Sequence, residues 1–207
     1  KKYPSYKDSG VEWLGEIPND WMPIKIKHIL SEKKKQTNPS LNSGSISFGE
    51  VVYKNDNSIP IETKANYQEV KVGEFLINPL NLNFDLKSLR TALSTINVVV
   101  STGYIVLQSI SNINKNYLRW ILYQFDVAHM KTLGAGVRQT VNFTDIGNEY
   151  FYLPSSYEQQ QIANFLDKAT AKIDTLIGKQ TKQIELLKEK RQAVISHAVT
   201  KGINPNV

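Results

Sequence analysis

The period of the apolar positions changes near residue 157. Beyond it, seam positions recur as Ile162, Leu166, Ala169, Ile173, Ile177, Gln180, Ile184, Leu187, Arg191, Val194 and Ala198, three or four residues apart. This stripe predicts one long helix with a heptad seam and a stutter at Ile173–Ile177. Lys168, Lys172, Asp174, Lys179, Lys182, Glu185, Lys188, Glu189 and Lys190 lie between the seam positions as a solvated flank. Pro154 marks the entrance, Ser155 or Ser156 the cap, and Glu158 sits in the first turn, where the helix dipole favours a negative charge. Gly202 and Pro205 mark the exit. From Glu158 to Lys201 the helix would run about 65 Å. Gly178, beside the stutter, costs about 1 kcal/mol relative to alanine and is the expected place for a break. A helix of this length cannot bury its own seam on itself. A partner helix is therefore expected, from a second copy or from another part of the same polypeptide. Packing back on the preceding domain is the alternative, with much of the helix overhanging. Gln180 and Arg191 on the seam would set register at some cost in stability.

Before residue 157 the pattern is mixed. Residues 46–53, 70–77, 96–100 and 104–108 read as strands, the last two joined by Ser101-Thr102-Gly103 as a hairpin-like turn. Residues 116–130 fit an amphipathic helix capped by Asn116, with Leu118, Ile121, Leu122 and Phe125 as one stripe. Trp120 and Tyr123 beside that stripe read as core rather than as a stacking platform. The expected fold class is α+β: a globular mixed α/β domain over residues 1–157, then one long C-terminal coiled-coil helix over residues 158–207. No short-period repeat or low-complexity tract is present.

Composition supports the same cut. Of 20 aromatic residues, 19 precede residue 158 and only Phe165 follows; of eight prolines only Pro205 follows. Aromatics suit a globular core, and a stretch without proline suits a rod. The absence of cysteine excludes disulfide frameworks, thiolate zinc sites and thiol nucleophiles. His28, His129 and His197 are too scattered for a local metal motif. The apolar runs fall far short of the ~20 residues that span a bilayer, and the N-terminus lacks a signal-peptide core. These features predict a soluble intracellular protein with no membrane partner. The formal net charge is +6, from 17 basic against 14 acidic residues up to 157 and 8 against 5 beyond it. So even a split shows no dense basic patch, and weak DNA affinity is expected of this chain by itself.

Patterns for catalysis mostly fail. Walker-type and G-x-G-x-x-G phosphate loops are missing, as are G-x-S-x-G and H-E-x-x-H. Asp56 with Glu62-Thr63-Lys64 is the nearest approach to a nuclease site, in which carboxylates would hold Mg²⁺ and Lys64 would stabilise the scissile phosphate. Such triplets arise by chance in charged proteins, and the spacing is short. Asn78-Pro79 after a strand faintly resembles an adenine-methyltransferase motif but lacks its aromatic.

Binding signals are better. Lys33, Lys34 and Lys35 are candidates for phosphate contacts, although such a run is usually a solvated loop. Residues 134–142, Gly-Ala-Gly-Val-Arg-Gln-Thr-Val-Asn, place Arg138 and Gln139 side by side after two glycines. Arginine fits guanine O6/N7 and glutamine fits adenine N6/N7 in the major groove. Thr140 and Asn142 are flanking base contacts in this reading, and Lys131 a flanking phosphate contact. The plainer alternative is a turn whose arginine meets a surface carboxylate.

Several stretches also carry a family resemblance. Tyr6-Lys7-Asp8-Ser9-Gly10-Val11-Glu12-Trp13-Leu14-Gly15-Glu16-Ile17-Pro18 with Asp20-Trp21 resembles the start of the repeat unit in specificity (S) subunits of type I restriction–modification systems. Residues 134–142, Leu153-Pro154 and residues 158–167 resemble the junction between the target recognition domain and the conserved helix of that family, and residues 173–177 and 184–198 continue it. The middle, roughly 40–130, matches only in outline. The resemblance implies a non-catalytic reader of one half of a bipartite double-stranded DNA target. It implies that modification (methyltransferase) subunits binding S-adenosylmethionine dock on it, and that restriction subunits using ATP and Mg²⁺ join them, in a bacterial or archaeal cytoplasm. No cofactor is expected on this chain. Full subunits carry two such units with their helices antiparallel as a ruler. This chain has one, which implies a half subunit that forms a homodimer through Ile162, Leu166, Ile173, Ile177, Gln180, Ile184, Leu187, Arg191 and Val194. The alternative is a dimerising regulatory half subunit that docks modification subunits without productive DNA recognition.

Overall fold

The computed structural model describes residues 3–80, 89–133 and 140–203 and, at Ser58 and Lys131, the backbone alone. It divides into two compact units, Lys1–Ala163 and Asn164–Val207. In chain order the elements are β1 (Tyr6–Asp8), β2 (Glu16–Pro18), β3 (Met22–Lys25), β4 (Leu30–Glu32), β5 (Gly44–Ser47), β6 (Glu50–Tyr53), α1 (Ile61–Ala65), β7 (Gln68–Val70), β8 (Phe75–Ile77), β9 (Thr91–Leu93), β10 (Val98–Val100), β11 (Ile105–Ser109), α2 (Lys115–Ala128), α3 (Phe143–Gly147), β12 (Tyr150–Leu153) and α4 (Ser156–Lys201). Six strands form one sheet in the order β4-β11-β8-β9-β6-β5. Its pairs are antiparallel except β6 with β9. The ribbons β1-β2, β7-β10 and β3-β12 complete the domain. The α+β class expected from the sequence is the class found.

Alternation along the central strands decides the layers, because successive side chains leave opposite faces. Phe75, Ile77, Ile105 and Leu107 join Leu118, Leu122 and Phe125 of α2 in one core. The intervening Leu76 and Val106 join Val70, Val98 and Val100 of the β7-β10 ribbon in a second. With both faces covered, the central strands read as unbroken apolar runs.

That layering corrects the expected strands. Residues 46–53 are two strands, β5 and β6, joined by a two-residue turn at Phe48 and Gly49. Residues 70–77 likewise break at Gly73, whose φ of +83° turns the chain out of the β7 ribbon and into the main sheet at β8. Residues 96–108 are not a hairpin. β10 pairs with β7, whereas β11 pairs with β4 and β8, so the chain changes layers at Ser101–Tyr104. Gln68 Nε2 holds that crossing by donating to the carbonyls of Ser101 (3.3 Å) and Tyr104 (2.6 Å).

Two helix starts are also resolved. α2 is capped by Asn114 rather than Asn116: its Oδ1 accepts the Tyr117 N–H at 3.0 Å, and Asn116 already lies inside the first turn. Leu118, Leu122 and Phe125 are buried on the predicted stripe, with Ile121 half-buried. At the start of α4, Ser155 Oγ donates to Glu158 Oε2 at 2.9 Å and accepts the Glu158 N–H at 3.4 Å, while the Ser155 N–H donates to the same carboxylate at 3.2 Å. This is a reciprocal capping box. Buried Gln159 then donates to the Pro154 carbonyl (3.0 Å) and accepts the Asn114 N–H (3.1 Å), tying the starts of α2 and α4 together. α4 runs through Gly178 without a break.

The Ser155 hydroxyl, ahead of the opposing effect of burial, holds the Glu158 carboxyl below the usual carboxylate range. A depressed folded value contributes stability that is present above the ordinary glutamate value, about 4.3, and is lost as pH falls through the folded value. Glu158→Gln is therefore expected to be less stable than the parent at pH 7, with the difference closing toward pH ~3. Urea midpoints measured across that range check it; a gap that persists at low pH counts against the cap.

Candidate nucleic-acid interface

Four stretches meet at one end of the six-stranded sheet. Beyond β8, Asn78 Oδ1 accepts the Leu80 N–H at 3.1 Å, and the Asn78 N–H donates to the Arg90 carbonyl at 2.7 Å. Asn78-Pro79 is thus a turn that locks two neighbouring segments, with the Asn78 Oδ1 and N–H both bonded to backbone. Leu80 forms an antiparallel bridge with Thr140, and the Val141 N–H donates to the Pro79 carbonyl at 3.1 Å. The β5–β6 turn completes the group. A Cβ placed on Gly49 would lie 2.9 Å from Leu89 Cδ1, so turn and segment are in close contact.

A buried ion pair anchors this end to α2. Arg90 Nε donates to Asp126 Oδ1 at 2.7 Å, and the Arg90 N–H donates to Oδ2 at 2.5 Å. Their side chains are only 8% and 5% exposed, and the carboxylate ties the Arg90 guanidinium to its own backbone N–H at the start of β9.

The candidate contacts fare differently. Arg138 and Gln139 lie outside the described residues. Thr140, which follows them, is exposed beside Leu80. Lys131 falls in a single 3-10 turn, Met130–Thr132. Asn142 is exposed but caps α3: its Oδ1 accepts the Asp145 N–H at 3.0 Å, and Asp145 Oδ2 accepts the Asn142 N–H in return. Bidentate reading of adenine takes both side-chain atoms of an asparagine. The cap takes one lone pair of Asn142 Oδ1 and gives the residue a structural role besides any contact with a base. Lys33 moves off the phosphate group of candidates. Its ammonium lies 2.9 Å from Glu74 Oε2 and 3.8 Å from Glu69 Oε2, with its side chain 6% exposed. Lys34 and Lys35 remain exposed.

The nuclease-like set does not assemble. Lys64 pairs with Asp56 at 2.5 Å, and Asp56 Oδ1 accepts the Ser43 N–H. The Lys64 ammonium holds the Asp56 carboxyl below its ordinary range, while Glu62 is exposed on α1. Among the described residues no three His, Cys, Asp or Glu side chains are grouped to hold a metal. Nor is any described helix long and apolar enough to cross a membrane.

On α4 the seam is open. Ile173, Ile177, Ile184, Leu187 and Val194 are each more than half exposed. Gln180 and Arg191 are exposed as well, while Ile162 and Leu166 are half-buried. After the stutter Ile177, Ile184 and Arg191 hold one seam position and Gln180, Leu187 and Val194 the other. The residues bordering them are Thr181, Lys188 and Ile195 on one side and Gln183, Lys190 and His197 on the other, with Lys172 in the same place before the stutter. Asp167, Asp174, Glu185 and Glu189 fall outside these bordering positions.

A two-faced mixed sheet followed by a long helix is a fold shared with solved structures from type I restriction–modification systems. The chain superposes on a structure concerned with complex assembly and conformational transition of the type I R-M system, with TM-score 0.65, 15% identity, 96% of this chain and 49% of that one. It superposes also on the HsdS subunit from Thermoanaerobacter tengcongensis (0.57, 17%, 96% and 48%) and on the S subunit from M. genitalium (0.55, 14%, 89% and 48%).

The chain belongs to the family described as the type I restriction modification DNA specificity domain, whose model matches residues 18–186. It is similar to a Methanocaldococcus jannaschii protein named as the MjaX specificity subunit of a type I restriction enzyme, with 23% identity over 92% of this chain and 48% of the relative. It spans about half the length of the curated relative and of the solved structures it matches.

Sequence reasoning missed Phe48, Arg90, Asp126 and Glu74. Gly49 inside the run 46–53 was the available signal for the turn. The Arg90–Asp126 and Lys33–Glu74 pairs join residues 36 and 41 positions apart, and no local pattern announces them.

Proposed function

We propose that this chain recognises one half of a bipartite DNA sequence and performs no catalysis itself. The observation that carries the reading is that one specificity-domain family model runs unbroken across the sheet domain and much of α4. Segments 78–80, 89–90 and 140–142 frame the reading end, with Arg138 and Gln139 as base contacts and Lys34, Lys35 and Lys131 as phosphate contacts. Phosphate contacts position, and base contacts specify. The seam of α4 pairs with the α4 of a second copy and fixes the gap between half-sites. Modification subunits carrying S-adenosylmethionine dock on this scaffold, and restriction subunits supply ATP- and Mg²⁺-dependent steps, in the cytoplasm.

Selection from a randomised duplex pool, with and without modification subunits, tests it. Enrichment of one two-part sequence is expected. A pool that stays random in both arms would favour a half subunit that docks partners without reading DNA.

A further inference from the structure

We infer that Phe48, at the tip of the β5–β6 turn, is an apolar base contact of the DNA-reading end; the inference rests on the function proposed above. Ser47 and Glu50 pair directly, which leaves Phe48 and Gly49 as a two-residue loop with φ of +49° and +79°. Two positive φ values in succession define the hairpin turn that strongly prefers asparagine or glycine at its first position. A bulky aromatic there is an outlier. Phe48 is the one non-glycine residue with positive φ among the described residues.

Folding gives nothing back for this choice. The Phe48 side chain is 74% exposed and belongs to neither core. A lone exposed apolar residue is ordinary on a protein surface; one that also strains its own backbone is not. Local rules broken without a packing return concentrate at functional sites. The position agrees with that. Gly49 touches Leu89, Arg90 is hydrogen-bonded to Asn78, and Pro79 to Val141, so the turn stands at the same sheet end as Leu80 and Thr140. An aromatic ring adds to neighbouring hydrogen-bonding side chains what they lack, an apolar surface matched to a thymine methyl or to an opened base step.

Phe48→Asn separates the roles, because asparagine suits the turn while removing the ring. Its thermal midpoint is expected to equal or exceed the parent's. Its affinity for the selected duplex is expected to fall at least fivefold, with binding to a randomised duplex unchanged. Cognate binding within twofold of the parent, an equal loss on both duplexes, or a lowered midpoint each overturns the inference. A parent chain that does not distinguish the two duplexes instead overturns the DNA-reading function itself, and that result is visible without the variant.

Discussion

Asp126→Ala is expected to unfold with a thermal midpoint about 6–20 °C below the parent's, the equivalent of about 3–5 kcal/mol at roughly 2–4 °C per kcal/mol. The reason lies in what remains. Arg90 cannot shed its proton, so removing the carboxylate takes an acceptor and a counter-charge from a buried guanidinium. The backbone N–H of Arg90 loses its acceptor at the same time. Replacing both partners by apolar residues, Arg90→Met with Asp126→Leu, is expected to recover much of the loss, since a buried pair is often close to neutral against well-packed hydrophobes. Lys27→Ala, which removes an exposed hydrogen bond to Asn148, serves as the control and should stay within about 0.5 kcal/mol of the parent. A midpoint for Asp126→Ala within 2 °C of the parent would show that the pair does not hold the start of β9. Because Arg90 is joined to Asn78 and thence to Leu80 and Thr140, the same variant should also lose sequence-selective binding at temperatures where it remains folded.

The second large effect concerns association. With Ile184→Asp and Leu187→Asp together, the sedimenting mass at micromolar concentration is expected to drop from two chains to one. Each side chain is worth about 1.5–3 kcal/mol when fully buried, so the pair weakens dimerisation by at least about a hundredfold. Both side chains are more than half exposed in the single chain, so the substitutions remove nothing from the domain's own cores. A double variant that keeps the parent's mass, or a parent that already sediments as one chain, refutes self-pairing through this seam.

The parts of the fold written in long periodic signals were legible, and the parts decided between distant residues were not. The seam from Ile162 to Ala198 and the stripe Leu118–Leu122–Phe125 each repeat over several turns, so helix type followed directly. Strand partners did not. Val98–Val100 and Ile105–Ser109 look like the arms of a hairpin until the second core claims Val98 and Val100 and carries β10 to β7. Asn116 and Asn114 are equally good caps by composition; only the Tyr117 N–H chooses between them. At the candidate interface, composition marked Lys33 as a surface cation, but Glu74, 41 residues away, takes it inside. Phe48 was hidden for the opposite reason: an aromatic within an alternating run reads as a strand residue, and its backbone conformation is not written in its identity.

The border of the α4 seam has one further consequence. Lys172, Lys188 and Lys190 are the charged residues beside the stripe, apart from titratable His197, and no carboxylate stands with them. Two copies brought together therefore carry only positive charge along the borders of the pair, with no carboxylate there to offset it. Mobile ions shield such repulsion over about 10 Å at 0.1 M salt. The self-pair should thus tighten as ionic strength rises, while the grip on phosphates loosens. A helix of different sequence with glutamates at the bordering positions would displace the second copy at low salt, so the electrolyte would select which of two assemblies forms.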